Sequence, residues 1–246
     1  PGNRSLPYPF VAAIAEDAEG AIWLGLRPGL CRLKGEALTC FGVADGIPAG
    51  NVWDMTRDQT GRLWIAFDQA VYSWADGKFR LESSGLASAF SSVAVGPDGT
   101  VYAATRAHGI ARLTKGEWSF LSKDAGLPTT RFTSLLVDRR GRLWAGTEGT
   151  GVCLVREPTS ASAAAECRGP STGISNAVVR HILEDREGGI WVGTGDGLDV
   201  LRLFPFVALG RQHGLATENV RTIIETRDGR VWFGTEGGGL AWLEPN

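Results

Sequence analysis

Asp185-Arg186-Glu187-Gly188-Gly189-Ile190-Trp191-Val192-Gly193-Thr194 is the stretch on which the reading of this 246-residue chain turns. Its skeleton is a glycine, two residues, an aromatic, then a small residue two further on. The glycines are Gly20, Gly61, Gly99, Gly141, Gly188 and Gly229, and the aromatics Trp23, Trp64, Tyr102, Trp144, Trp191 and Trp232, 38 to 47 residues apart. Self-similarity at such a period marks stacked supersecondary units, each too small to bury its apolar face alone.

Six residues before each aromatic stands Asp17, Asp58, Asp138 or Asp185, replaced by Gly96 in the third copy and Thr226 in the sixth. Asp accepts bonds from amides two or three residues on, and glycine reverses the chain at positive φ without a Cβ clash, so this segment reads as a tight turn. A calcium loop would need more carboxylates per turn. The aromatic has apolar neighbours on both sides, such as Ile190 and Val192. Half-exposed strands alternate apolar with polar, whereas a strand covered on both faces does not. The repeated Trp is therefore read as core.

A second turn and strand follow at Gly29-Leu30, Ala70-Val71, Gly109-Ile110, Gly151-Val152, Gly197-Leu198 and Gly239-Leu240. Hairpin turns at Lys34-Gly35, Asp76-Gly77 and Lys115-Gly116 lead to a last strand marked by Phe41, Phe79, Phe120 and Phe206. Linkers such as Gly46-Ile47-Pro48 and Gly126-Leu127-Pro128 return the chain to a strand opening on Val52, Phe90, Phe132, Val179 or Val220. Four short strands per period and no helical periodicity predict an all-β fold: a single β-propeller domain of six repeat units over 10–50, 51–88, 89–130, 131–177, 178–218 and 219–246. The last blade is expected to lack its outer strand, and the chain to be a piece of a longer propeller region.

A net charge of -2, with acidic and basic residues interspersed, provides no phosphate-tracking stripe, which argues against nucleic acid as the main partner. No apolar segment suggests membrane insertion. The Ala/Ser-rich insertion 159–165 reads as a solvated hairpin loop.

Cys31 and Cys153 each follow the apolar residue that opens a third strand, while Cys40 and Cys167 each lie six residues before a linker glycine. These are the same two positions in two blades, on strands that pair antiparallel. Bridges Cys31–Cys40 and Cys153–Cys167 are expected, with buried free thiols as the other reading. Disulfides place the chain in an oxidising compartment, the periplasm or exterior. No Cys or His partners lie at zinc-ligand spacing, and no metal or cofactor is expected.

The two positions after each opening apolar residue differ between repeats: Ala12 and Ala13, Trp53 and Asp54, Ser91 and Ser92, Thr133 and Ser134, Arg180 and His181, Arg221 and Thr222. Loops on the same face add Arg27, Asp68, Arg106, His108, Glu148, Asp196 and Glu236. Trp53, Arg180, Arg221, Arg106, His108 and His181 are the candidate ligand-binding residues. Trp53 would offer a flat apolar face, and the arginines paired donors for an anionic or oligosaccharide-like small molecule.

The phrase around Trp191, with Gly197-Leu198, and Gly229-Arg230-Val231-Trp232-Phe233-Gly234-Thr235 closely resemble the two-component regulator propeller repeat. The junction Asp45-Gly46-Ile47-Pro48 with Asn51-Val52 is similar to that family's. The resemblance spans all six units and is weakest in the second and third, where Gly-Thr becomes Ala66-Phe67 and Ala104-Thr105. It implies a non-catalytic, ligand-sensing region on the periplasmic or extracellular side of a bacterial inner membrane, belonging to a hybrid sensor kinase or related receptor. Its partners would be other domains of that receptor, with homodimerisation in the full-length protein.

Gly99-Thr100-Val101-Tyr102 and Trp232-Phe233-Gly234-Thr235-Glu236 also resemble streptogramin-lyase-like propellers. A lyase would need a His and a Glu at one mouth, but His108, His181 and His213 fall at three different repeat positions. Asp58-Gln59-Thr60-Gly61-Arg62-Leu63-Trp64 alone resembles a quinoprotein repeat, without the adjacent cysteines expected of many such dehydrogenases. A protein-interaction scaffold is the third class.

Overall fold

The computed structural model describes residues 6–84, 86, 88–121, 125–128, 131–160, 163–201, 220–226 and 230–243. The chain divides into two compact units, Pro1–Leu203 and Phe204–Asn246.

The first unit holds five antiparallel meander sheets, each one propeller blade. Blade 1 comprises β1 (Val11–Glu16), β2 (Ile22–Leu26), β3 (Leu30–Lys34) and β4 (Ala37–Phe41). Blade 2 comprises β5 (Val52–Arg57), β6 (Leu63–Phe67), β7 (Val71–Ala75) and β8 (Lys78–Leu81). Blade 3 comprises β9 (Phe90–Val95), β10 (Val101–Thr105), β11 (Gly109–Thr114) and β12 (Glu117–Phe120). Blade 4 comprises β13 (Phe132–Val137), β14 (Leu143–Thr147), β15 (Val152–Val155) and β16 (Ala165–Arg168), with the Ala/Ser-rich insertion joining its last two strands. Blade 5 shows β17 (Val179–Glu184), β18 (Ile190–Thr194) and β19 (Leu198–Leu201). The second unit shows one further sheet, β20 (Val220–Glu225), β21 (Val231–Thr235) and β22 (Gly239–Leu243). Among the described residues these six antiparallel sheets are the all-β, propeller-blade repeats that the periodicity predicts, five in the first unit and one in the second. The expected strand at Phe206, His213 and Gly229 lie outside the described residues.

Within the first unit the apolar core sits between consecutive blades. Trp23 of β2 packs with Val52, Leu63 and Ile65 of blade 2, and Trp64 with Phe90, Val93 and Val101 of blade 3. Tyr102 meets Phe132, Leu135 and Leu143 of blade 4, and Trp144 meets Val179, Ile182 and Ile190 of blade 5. Each such aromatic removes a large apolar area from water, about 2–3 kcal/mol apiece. The small residue two further on is required by the same packing. A Cβ on Gly25 would come within 2.6 Å of Val52 Cγ1, and one on Gly146 within 2.5 Å of Val179 Cγ1.

The Asp before each Trp does more than shape the turn. Asp17 Oδ1 accepts the amides of Glu19 and Ala21, while its Oδ2 accepts the Trp23 indole N–H at 2.9 Å and Arg32 Nε at 2.7 Å. Asp58, Asp138 and Asp185 receive the indoles of Trp64, Trp144 and Trp191 at 2.9, 2.9 and 2.6 Å. A buried indole needs such an acceptor. In the second unit Thr226 Oγ1 serves Trp232 at 3.2 Å. Where the aromatic is Tyr102, with no indole N–H, the position is Gly96. Both disulfides form as expected: Cys31 faces Cys40 across β3 and β4, and Cys153 faces Cys167 across β15 and β16.

Candidate functional site

Every inner strand carries a bulge at the same place. In blade 1, Val11 pairs with Leu26 and Ala13 with Gly25, leaving Ala12 unopposed. The unopposed residues elsewhere are Trp53, Ser91, Thr133, Arg180 and, in the second unit, Arg221. A bulge bends the strand and re-aims the extra side chain.

In blades 3 and 4 these positions fasten one blade to the next. Ser91 Oγ donates to the Phe132 carbonyl at 2.6 Å, and Thr133 Oγ1 to the Val179 carbonyl at 2.8 Å. One residue on, Ser92 Oγ accepts the Leu135 amide at 2.9 Å and Ser134 Oγ the Ile182 amide at 3.2 Å. Asp54 plays this part in blade 2: its Oδ2 accepts the Val93 amide at 3.1 Å and the Ser92 hydroxyl, and its Oδ1 the Met55 amide at 2.8 Å. Burial pushes the Asp54 carboxyl above its ordinary range, against the opposing pull of Ser92, Val93, His181 and Met55.

The inner strands of all five blades of the first unit line a cavity of about 710 Å³. Trp53 enters it from the blade 2 bulge, and its indole N–H donates to Asp68 Oδ1 at 2.6 Å. Asp68 is itself held by the Asn51 amide at 2.8 Å. Burial works to raise the Asp68 carboxyl, but the Asn51 amide, the indole and Arg106 hold it below its usual range. Arg27 lies over the Trp53 ring at 3.7 Å and Arg106 at 4.3 Å. They come from the flanking blades 1 and 3, and Arg27 also lies 4.8 Å from the Phe10 ring. Arg180 and His181 line the cavity from blade 5 and are exposed. Arg131 and Glu148 form a 3.2 Å ion pair among the lining residues.

Four candidates, Trp53, Arg106, Arg180 and His181, thus share one cavity. His108 does not: its ring packs edge-on to Phe120 of β12, centroids 5.8 Å apart, because the β10–β11 loop turns it towards the outer strand. Arg221 lies in the second unit, where Glu236 accepts its Nε at 2.9 Å. The open stacking face expected of Trp53 is instead a seat for two guanidiniums. Arg27, Asp54 and Glu148 line the cavity although they were not among the candidates. A signal for two of them lies in register: Arg27, Asp68, Arg106 and Glu148 each stand four residues after their own aromatic.

The two component regulator propeller family matches at residues 46–69, 126–149, 173–196 and 214–237. The chain carries two-component regulator propeller repeats. The matched segments run from a linker glycine to the end of the Trp strand, the portion holding the bulge and the bond from the Trp indole to Asp58, Asp138, Asp185 or Thr226. No curated protein sequence matches the chain. Among solved structures it is similar to the extracellular domain of BT4673 from B. thetaiotaomicron, described both as a one component and as a hybrid two component system. That likeness has a TM-score of 0.69 at 19% identity, covering 98% of this chain and 36% of that one. The extracellular domain of the hybrid two component system BT3049 from B. thetaiotaomicron gives 0.66 at 17%, covering 97% and 34%. Virginiamycin B lyase from Staphylococcus aureus gives 0.61 at 12%, covering 95% and 84%. The chain spans about a third of the length of the two B. thetaiotaomicron domains. At these identities the likeness is one of fold.

Proposed function

We propose that this chain is a ligand-sensing propeller segment of an extracytoplasmic signalling receptor of the two-component type, and is not itself a catalyst. The observation that carries the reading is the first unit's cavity, where Arg27 and Arg106 lie over Trp53, Arg180 lines the same space, and the lining carboxylates are Asp54 and the ion-paired Glu148, with Asp68 bonded to the indole. A concave site of this size with a few convergent polar groups suits a small molecule or an oligosaccharide end, and its charge favours an anionic one. Repeat membership, the extracellular domains among the neighbours and two disulfides support an oxidising, extracytoplasmic setting. The signalling output, other receptor domains and dimerisation belong to the full-length protein under this reading.

Melting of the chain against a panel of neutral and acidic mono- and oligosaccharides and small organic acids tests it. A compound that binds the folded state raises the midpoint by mass action. A saturable shift lost in Arg180→Ala supports the cavity as the sensor site; no shift across the panel overturns it. Proton-transfer catalysis is favoured by one observation, that His181 lines the same cavity as Asp54 and Glu148. Mass spectrometry of the bound compound after prolonged incubation separates the two: recovery unchanged is the sensor result.

A further inference from the structure

The Arg27–Trp53–Arg106 arrangement places two cations of like sign on one indole. Among the described residues neither guanidinium is ion-paired or hydrogen-bonded through its side chain to a carboxylate, and the buried Arg27 Nε has no hydrogen-bond partner. Burial lowers the Arg27 pKa and the Arg106 charge lowers it further, with only Asp68 opposing. Asp68 is already committed to the Trp53 indole and Asn51. A buried donor left unpaired, as Arg27 Nε is, costs stability and calls for a partner, while Arg106 reaches the same ring from an exposed position.

Stacking does not provide that partner. A guanidinium held over an aromatic ring by its charge still has N–H donors to satisfy. Two guanidiniums lining one cavity offer N–H donors that match the oxygens of an oxyanion. The indole, covered in this way, is a template for arginine rather than a platform for a sugar ring.

We propose that Arg27 and Arg106, held on Trp53, form a paired clamp for an oxyanion group of the ligand, a carboxylate, sulfate or phosphate. The inference rests on the cavity being the ligand site and names the chemistry it selects. Trp53 acts as a positioning residue: the bulge and the bond to Asp68 fix the ring on which both clamp arms lie. Blade 2 thereby carries no cationic arm of its own, and blades 1 and 3 supply one each.

Calorimetric titration of the full chain with sodium sulfate, phosphate and succinate, at constant ionic strength in chloride, is the direct test. At least one should bind saturably, and the ranking of the three tells which oxyanion the clamp takes. Arg27→Gln and Arg106→Gln should each weaken that binding by about tenfold or more, the loss of charge-assisted bonds. Arg27→Lys, which keeps charge but not the flat fork, should bind less tightly than wild type and more tightly than the Gln variant. Arg156→Ala, removing an exposed arginine paired with Glu166, should leave binding unchanged. Sulfate and phosphate stabilise folded proteins in general, so in a parallel melting experiment only the difference between wild type and the double Gln variant counts. The clamp is overturned if none of the three anions binds saturably, or if the Gln variants, shown folded by an unchanged denaturation midpoint, bind as wild type does. A neutral compound that still stabilises the double variant would overturn the clamp and leave the sensor reading standing. Failure of every neutral and anionic compound would remove both.

Discussion

The two ends of the inner hairpin of a blade are built on opposite rules. At the turn end the same bond recurs, a carboxylate six residues ahead of a Trp receiving its indole N–H, in blades 1, 2, 4 and 5. At the bulge end the backbone recurs but the side chains do not: Ser and Thr in blades 3 and 4, Trp53 in blade 2, Arg180 in blade 5. The difference teaches where to look for function in a repeat. Recurring positions meet a requirement shared by the blades that carry a Trp, while a bulge satisfied in some blades by a small hydroxyl is free elsewhere to carry a large or charged group into the cavity.

The largest expected effect breaks the uniform end. Asp17→Ala strands the Trp23 indole and the amides of Glu19 and Ala21 and leaves the half-buried Arg32 guanidinium with Glu19 alone. A loss of about 3–5 kcal/mol is expected, as for removing one partner of a buried pair. Blade 3 supplies the contrast. There Asp98 caps an exposed turn through Thr100 alone, and Asp98→Ala should cost about 1 kcal/mol. Denaturant midpoints measure both, and equal losses would show that the turn, rather than the indole, sets the requirement. Pairing Asp17→Gly with Trp23→Tyr imitates the Gly96 and Tyr102 of blade 3, so the double variant should recover part of the single loss.

Acid sharpens the same contrast at a smaller scale. Burial works to raise the Asp17 pKa, yet bonds from Arg32, Trp23 and the amides of Ala21 and Glu19 outweigh it and lower the carboxyl to about 2. Its folded pKa thus lies below that of an unfolded chain, and protonation favours unfolding. The contribution, about 2 kcal/mol, is whole above about pH 4 and is lost as pH falls through about 2. Asp54, at the bulge end, runs the other way. Its carboxyl is raised by burial, so its effect on stability is most favourable below the ordinary carboxylate range and declines as pH rises through its folded pKa. Asp17→Asn should flatten the acid limb of a stability–pH curve, and Asp54→Asn the limb above it; a curve unchanged by either variant would refute the assignment of that limb.

The repeat, the strand order and both bridges were legible because each rests on spacing, and spacing survives in a single sequence. The Asp–Trp bond was only half legible. The turn explains an Asp, and the acceptor role showed itself only once Trp23 was seen buried with its N–H directed at Asp17. The site was harder. That Ser92 and Ser134 are fasteners while Trp53 is a seat for arginines depends on which blade follows which, and no periodicity encodes that. His108 was misplaced because a shared loop position does not fix direction, and Phe120 offered its ring an apolar neighbour on the outer side.

The smallest expected effect tests whether the hydroxyls of the bulge end act as fasteners at all. Ser134 Oγ accepts the Ile182 amide at 3.2 Å, a longer bond than the 2.9 Å from Leu135 to Ser92. Ser134→Ala removes that acceptor, and blade 1, with Ala13 at the equivalent position, shows that the backbone accommodates a methyl group there. The cost should be about 1 kcal/mol, near the net value of one hydrogen bond. Amide hydrogen exchange gives a sharper readout than the midpoint. The Ile182 amide should exchange faster in Ser134→Ala while Leu135, still bound to Ser92, keeps its protection. Ser92→Ala should reverse the pattern, exposing Leu135 and sparing Ile182. If both amides respond alike to either change, the fasteners are coupled through the blades, and the bulge end is as cooperative as the turn end it was contrasted with.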